Sequence, residues 1–138
     1  MKKLALTDFA KYRYPSALEL SPDGRYLTFA LKEVDREGDG YRWNLWLYDL
    51  ESRESRQITR GDDQRKAVWE DNTHILYKTT ELDEAMRARG FEEEWTVYHR
   101  LNVCTGEESE AFRLPMSVSG LWKMDEGRYV FTGETHLD

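Results

Sequence analysis

A hydrolytic centre needs a nucleophile, a base to activate it and a third group to hold that base, so hydroxyls, thiols and histidines come first. The only string near a Gly-x-Ser-x-Gly elbow is Met116-Ser117-Val118-Ser119-Gly120, which lacks the leading glycine. No Ser/His/Asp set can be nominated. The three histidines, His74, His99 and His136, stand neither at i, i+4 spacing nor beside a cysteine pair, so zinc-type ligand patterns fail as well. His74 falls where a strand begins and His99 within one, and both are expected to be packed or surface side chains. The single Cys104 cannot close an intramolecular disulfide and agrees with a reducing compartment. It is expected to be a small, semi-buried residue near a strand end. There is neither a P-loop nor a G-x-G-x-x-G. No catalytic, cofactor-binding or metal-binding residue is therefore assigned, and no cofactor is expected.

One acidic run has chemical appeal. At the rim of a cavity, Glu92-Glu93-Glu94 could hold the free α-amino group of a peptide, because charge-assisted hydrogen bonds to an ammonium are strong. A charge run is ordinarily a solvated face, and a solvated helix end or loop is the expectation for it. Alanine at all three positions decides between the two through KM for peptides with a free amino terminus.

The charge balance narrows the partners. Across 138 residues, 20 Lys and Arg face 27 Asp and Glu, a net charge of −7. That argues against a nucleic-acid footprint, which needs a clustered basic patch; Arg87 and Arg89 are diluted by neighbouring acids. No stretch approaches the roughly 18 apolar residues of a membrane span. The opening Met1-Lys2-Lys3-Leu4-Ala5-Leu6-Thr7-Asp8 starts like a secretory leader, but Asp8 interrupts it before an apolar run develops. A cytoplasmic location is the default expectation. With 5 Trp, 8 Tyr and 5 Phe, the composition is that of a folding chain and not a disordered one.

The elements that would position any site come from an internal repeat. Leu20-Ser21-Pro22-Asp23-Gly24-Arg25-Tyr26-Leu27-Thr28-Phe29, Val68-Trp69-Glu70-Asp71-Asn72-Thr73-His74-Ile75-Leu76-Tyr77 and Trp122-Lys123-Met124-Asp125-Glu126-Gly127-Arg128-Tyr129-Val130-Phe131 each place an Asp six residues before an aromatic. Asp23, Asp71 and Asp125 are separated by 48 and 54 residues, just above the about 40–50 of WD40 and kelch blades. In Ser21-Pro22-Asp23-Gly24, Pro presets φ, Asp can bond the backbone ahead of it, and Gly takes the positive φ that closes a tight hairpin. Asn72 is expected to play the Gly24 part in the second copy. Gly127 stands one position later, which predicts a different turn.

After the first two turns come Trp43-Asn44-Leu45-Trp46-Leu47-Tyr48-Asp49-Leu50 and Trp95-Thr96-Val97-Tyr98-His99-Arg100-Leu101-Asn102-Val103, and then the polar strands Ser55–Thr59 and Glu110–Leu114. That makes four strands per repeat. Leu27, Phe29 and Leu31 alternate with Tyr26, Thr28 and Ala30, and Leu45 and Leu47 with Trp46 and Tyr48, so both faces carry apolar surface. A blade between two blades needs that, whereas a sheet with one wet face does not. An up-and-down barrel or sandwich explains the alternation but not the period. The fold class expected is all-β: antiparallel four-stranded blades of an incomplete β-propeller, with a short N-terminal helix and a helical insertion.

The boundaries follow. Residues 1–14, with a helix from Leu6 to Tyr12 capped by Thr7 or Asp8, form a strap. Blade 1 takes 15–62 and blade 2 takes 63–115, with a helical insertion at 81–90 stopped by Gly90; 116–138 begins blade 3. The third repeat reaches Asp138 before its second pair of strands, and a propeller closes with at least about four blades. The sequence therefore reads as part of a longer protein. An arc of blades also leaves an apolar face open, which predicts self-association of the isolated chain.

The series Leu6-Thr7-Asp8-Phe9, Leu18-Glu19-Leu20-Ser21-Pro22-Asp23-Gly24-Arg25, Asn44-Leu45-Trp46-Leu47-Tyr48-Asp49-Leu50 and Arg56-Gln57-Ile58-Thr59-Arg60-Gly61, with a second repeat opening at Trp69, resembles the N-terminal β-propeller of prolyl oligopeptidase-family (S9) serine peptidases. The acylaminoacyl-peptidase and dipeptidyl-aminopeptidase branch is the most similar. The likeness spans essentially the whole chain. Ser-Pro-Asp-Gly repeats also occur in TolB-like propellers and some polysaccharide lyases, but a helix feeding directly into the first blade is a peptidase trait. The resemblance implies a following α/β-hydrolase domain with a Ser-Asp-His triad, none of which maps onto these residues. It implies that this segment is catalytically silent, covers the active site, admits short peptides, and has the hydrolase domain and peptide substrates as partners. A TolB-like interaction module without activity is the alternative. A sugar-polymer lyase ranks below both, because its blades should carry metal-ligand histidines in a common repeat position.

Overall fold

The computed structural model describes residues 15–35, 40–82, 84–90, 94–125 and 128–134. The expected helix from Leu6 to Tyr12, and also Glu92, Glu93, Gly127 and His136, lie outside them. Strands β1 (Pro15–Leu20), β2 (Tyr26–Asp35), β3 (Gly40–Asp49) and β4 (Glu54–Gln57) make one antiparallel sheet in chain order. Strands β5 (Val68–Trp69), β6 (His74–Leu82), β7 (Glu94–Asn102) and β8 (Glu108–Leu114) make a second sheet of the same order. Strands β9 (Ser117–Asp125) and β10 (Arg128–Glu134) pair as a third, two-stranded sheet. One short helix, α1 (Glu84–Ala88), sits between β6 and β7. The segment 81–90 is thus less helical than its composition predicts, since β6 runs on to Leu82. No described helix is long and apolar enough to cross a membrane.

Each sequence repeat opens the corresponding sheet. The Asp23, Asp71 and Asp125 motifs join β1 to β2, β5 to β6 and β9 to β10. Asp23 accepts bonds from the Ser21 hydroxyl at 2.7 Å and the Arg25 N–H at 3.1 Å, and Gly24 takes φ of 76°. Asp71 does the same work for the Thr73 and His74 N–H groups at 2.9 and 2.7 Å. Asn72, however, has no positive φ. With Asp71 capping two successive amides, the second turn closes without a left-handed residue, so Asn72 does not stand in for Gly24.

The sheets stack face to face. Tyr26, Ala30, Leu45 and Leu47 of the first sheet bury against Trp69, Ile75, Tyr77 and Leu101 of the second. On the opposite face of the second sheet, Leu76 and Tyr98 bury against Val118 and Leu121 of β9. Alternate residues of one strand, such as Ile75 and Leu76, therefore serve two different cores, as the period of two in a strand requires. The leading strands also meet, β1 against β5 and β5 against β9, so the sheets fan out from a common inner edge.

Candidate functional site

A concavity among the described residues lies between the second sheet and the β9–β10 hairpin, a cleft of about 380 Å³. Its walls are Val68, Tyr98 and Leu121, and its cations are Lys78 from β6 and Arg65 and Lys66 from the segment entering β5. A connection as polar as 58–67 would ordinarily be loose, but here it is stitched to β3. Thr59 Oγ1 accepts from the Leu45 N–H at 2.8 Å, and the Gln64 N–H donates to the Trp43 carbonyl at 2.9 Å. Asn44 and Asp62 exchange two bonds of 3.0 Å, with Asp62 in the left-handed region at φ of 73°. Gln64 is buried and its Oε1 accepts from the Gly61 N–H at 2.9 Å. A Cβ on Gly61 would lie 2.5 Å from Gln64 Nε2, so any other residue there would displace the Gln64 amide.

That stitching aims the cations. The Arg65 guanidinium lies 5.1 Å from the centre of the Trp43 ring, and the Lys66 ammonium 5.9 Å from that of Trp122. Asp63 pairs with Arg65 at 3.0 Å and Glu19 with Lys66 at 3.7 Å. Lys78 donates to the Val118 carbonyl at 2.5 Å. Burial pushes the Tyr98 hydroxyl up to about 12, so it stays neutral at physiological pH. In β9 an extra residue, Ser119, interrupts the register with β10 and lets both Val118 and Leu121 face inward.

A second polar cluster ties the same two sheets at the other end. Glu70, in the β5–β6 turn, accepts from Arg100 Nε at 2.5 Å and Nη2 at 3.0 Å, and from the Tyr129 hydroxyl at 2.7 Å. Lys123 donates to the Glu70 carbonyl. Burial pushes the Glu70 carboxyl up, but the Arg100 and Tyr129 hydrogen bonds outweigh it and hold the group below the usual carboxylate range. Burial, together with the bond to Glu70, raises the Tyr129 hydroxyl.

The residues singled out from sequence are scattered. His74 Nδ1 lies 3.0 Å from Asp71 Oδ1 within its own turn. His99 Nε2 lies 2.8 Å from Thr79 Oγ1, with its ring stacked on Tyr77. Cys104 is exposed in the β7–β8 turn rather than semi-buried, with Sγ 3.4 Å from the Tyr26 hydroxyl across the first junction. Ser119 bonds Thr132 across the hairpin. Glu94 opens β7 and is exposed. The structure brings none of these together, and among the described residues no three His, Cys, Asp or Glu side chains converge in a group that could hold a metal ion. What sequence reasoning missed was Arg65, Lys66 and Lys78. The signal available was Lys78 itself, a cation on the Leu76 face of a strand otherwise rich in apolar residues.

No family model matches the sequence, and no curated protein matches it. Among solved structures, the chain superposes on the β-propeller domain of the Trilobed protease from Pyrococcus furiosus, described as having an open velcro topology, with a TM-score of 0.58 and 12% identity. The match covers 82% of this chain and 31% of that one. The two four-stranded sheets and the hairpin that follows them thus have the fold of β-propeller blades.

Proposed function

We propose that this chain is the non-catalytic N-terminal propeller segment of an S9-type serine peptidase of the acylaminoacyl or dipeptidyl class. It would cover the active site and admit short peptides. The observation that carries the reading is the structural likeness to the propeller domain of a protease. The order of motifs from Leu6 to Trp69 adds to it. On this reading the nucleophile, its histidine and the oxyanion-holding amides belong to a hydrolase domain on the same polypeptide. The blades contribute an entrance whose width depends on how rigidly successive sheets are held.

The test uses the natural protein that contains this chain. Acylaminoacyl and aminoacyl reporters, an unstructured peptide series of increasing length and a folded protein are offered in parallel. Hydrolysis of the reporters, falling steeply with substrate size and abolished by a fluorophosphonate, is expected. Equal rates on short and folded substrates would remove the gating role. No hydrolysis at all would favour an interaction module.

A further inference from the structure

The cleft between the second sheet and the β9–β10 hairpin has an unbalanced charge. Lys78 is half-buried, and no ion pair among the described residues involves it. One of its three ammonium protons goes to the Val118 carbonyl. Arg65 and Lys66 are matched by Asp63 and Glu19, so one positive charge is left over, in a chain whose net charge is −7. A cation taken partly out of water without a counter-charge is costly. An anion entering between Val68, Tyr98 and Leu121 would be attracted more strongly than at an open surface, because those walls lower the local dielectric. The volume of about 380 Å³ is that of a small-molecule site, and the wall composition, apolar with a few convergent polar groups, is typical of one.

We propose that this cleft binds a small organic anion, a single oxyanion group carried on an apolar body. The oxyanion lies against the Lys78 ammonium, with Arg65 and Lys66 at the mouth, and the apolar body packs on Tyr98 and Leu121. The assignment is independent of the peptidase reading. A carboxylate-ended, peptide-like molecule and a phosphate ester share this chemistry.

Titration calorimetry on the purified protein separates the possibilities, with benzoylglycine, phenyl phosphate and the neutral benzamide as probes. One or both anions are expected to bind one per chain and about tenfold or more tighter than benzamide. Their affinity should fall as salt rises, because the rim charges are screened. The tighter anion identifies the source as carboxylate or phosphate ester. Lys78→Met is expected to weaken anion binding about tenfold and to leave benzamide unchanged. If that variant does not fold, the exposed-rim double variant Arg65→Gln/Lys66→Gln should weaken anion binding a few-fold and flatten its salt dependence. Anions that bind no better than benzamide, or anion binding indifferent to salt, would overturn the assignment.

Discussion

Between the first and second sheets the described contact is an apolar cluster of ten buried residues, Tyr26, Leu45, Leu47, Trp69 and Ile75 among them. Between the second sheet and the β9–β10 hairpin the buried cluster has four, Leu76, Tyr98, Val118 and Leu121, and polar ties surround it. At the first junction the Tyr26 and Trp69 rings lie nearly parallel, 6.2 Å apart, and Trp69 Nε1 donates to the Glu19 carbonyl at 3.1 Å. At the second, Glu70, Arg100, Tyr129 and Lys123 form a charge-assisted clamp, while Thr96 Oγ1 donates to the Met116 carbonyl at 2.6 Å. Apolar burial is non-directional and scales with area, and it dominates a junction whose directional ties are scattered neutral-acceptor bonds such as those of Trp69 to the Glu19 carbonyl and Arg56 to the Val103 carbonyl. The clamp adds direction, and it responds to proton concentration. One chain thus joins its blades by two mechanisms, and they should fail in different ways.

The largest effect is expected at the first junction. Ile75 and Leu45 are fully buried there, and truncating either to alanine should cost about 2–5 kcal/mol through lost transfer energy and the cavity left behind. Urea denaturation should show one cooperative loss of the whole fold; a variant that loses only the hairpin would erase the distinction between junctions. Next comes Glu70→Gln, which keeps the shape but not the charge. It should cost roughly 1.5–3 kcal/mol, the range for a bond to a charged group. Amide exchange should speed up in β9 and β10 and stay slow in β2 and β3.

The pH response sharpens the same contrast. Glu70 titrates below its ordinary value of 4.5 when folded, so its contribution is complete above that value and is lost as pH falls through the lower folded value. Wild type should therefore weaken more steeply than Glu70→Gln as pH falls below the ordinary carboxylate value of 4.5. Parallel stability curves for the two would show that the clamp is not the acid-sensitive tie. The smallest effect is expected at Gly24, where φ is 76° and a Cβ would meet open space. Gly24→Ala should cost about 1–2 kcal/mol from backbone strain alone, read as a lower denaturation midpoint without change in the exchange pattern.

The repeat, the four-strand count and the two apolar faces were legible in sequence because each rests on local rules. An Asp that caps a turn leaves a fixed spacing, and Ile75 and Leu76 side by side imply two cores. The turn at Asn72 departs from the sequence expectation because two amides converging on the Asp71 carboxylate remove the need for positive φ, and spacing does not reveal such a substitution. Residues 81–82 read as helix formers yet pair with 94–95 in the β6–β7 ladder, where tertiary pairing overrides propensity. The cleft was not legible at all. Arg65 and Lys66 sit in what reads as an ordinary polar loop, and the bonds of Thr59, Asp62 and Gln64 to β3 and its neighbours hold that loop where it lines the same cleft as Lys78.

On the proposed reading, these blades serve a nucleophile located elsewhere on the same polypeptide. Its most direct test is to capture the natural protein with an antibody against this chain, react it with a fluorophosphonate, and locate the adduct by peptide mass spectrometry. A single labelled serine on the same polypeptide, outside residues 1–138, is the expected result. An adduct on a serine within these residues, or a polypeptide that takes no label under conditions that label a control serine peptidase, would contradict it.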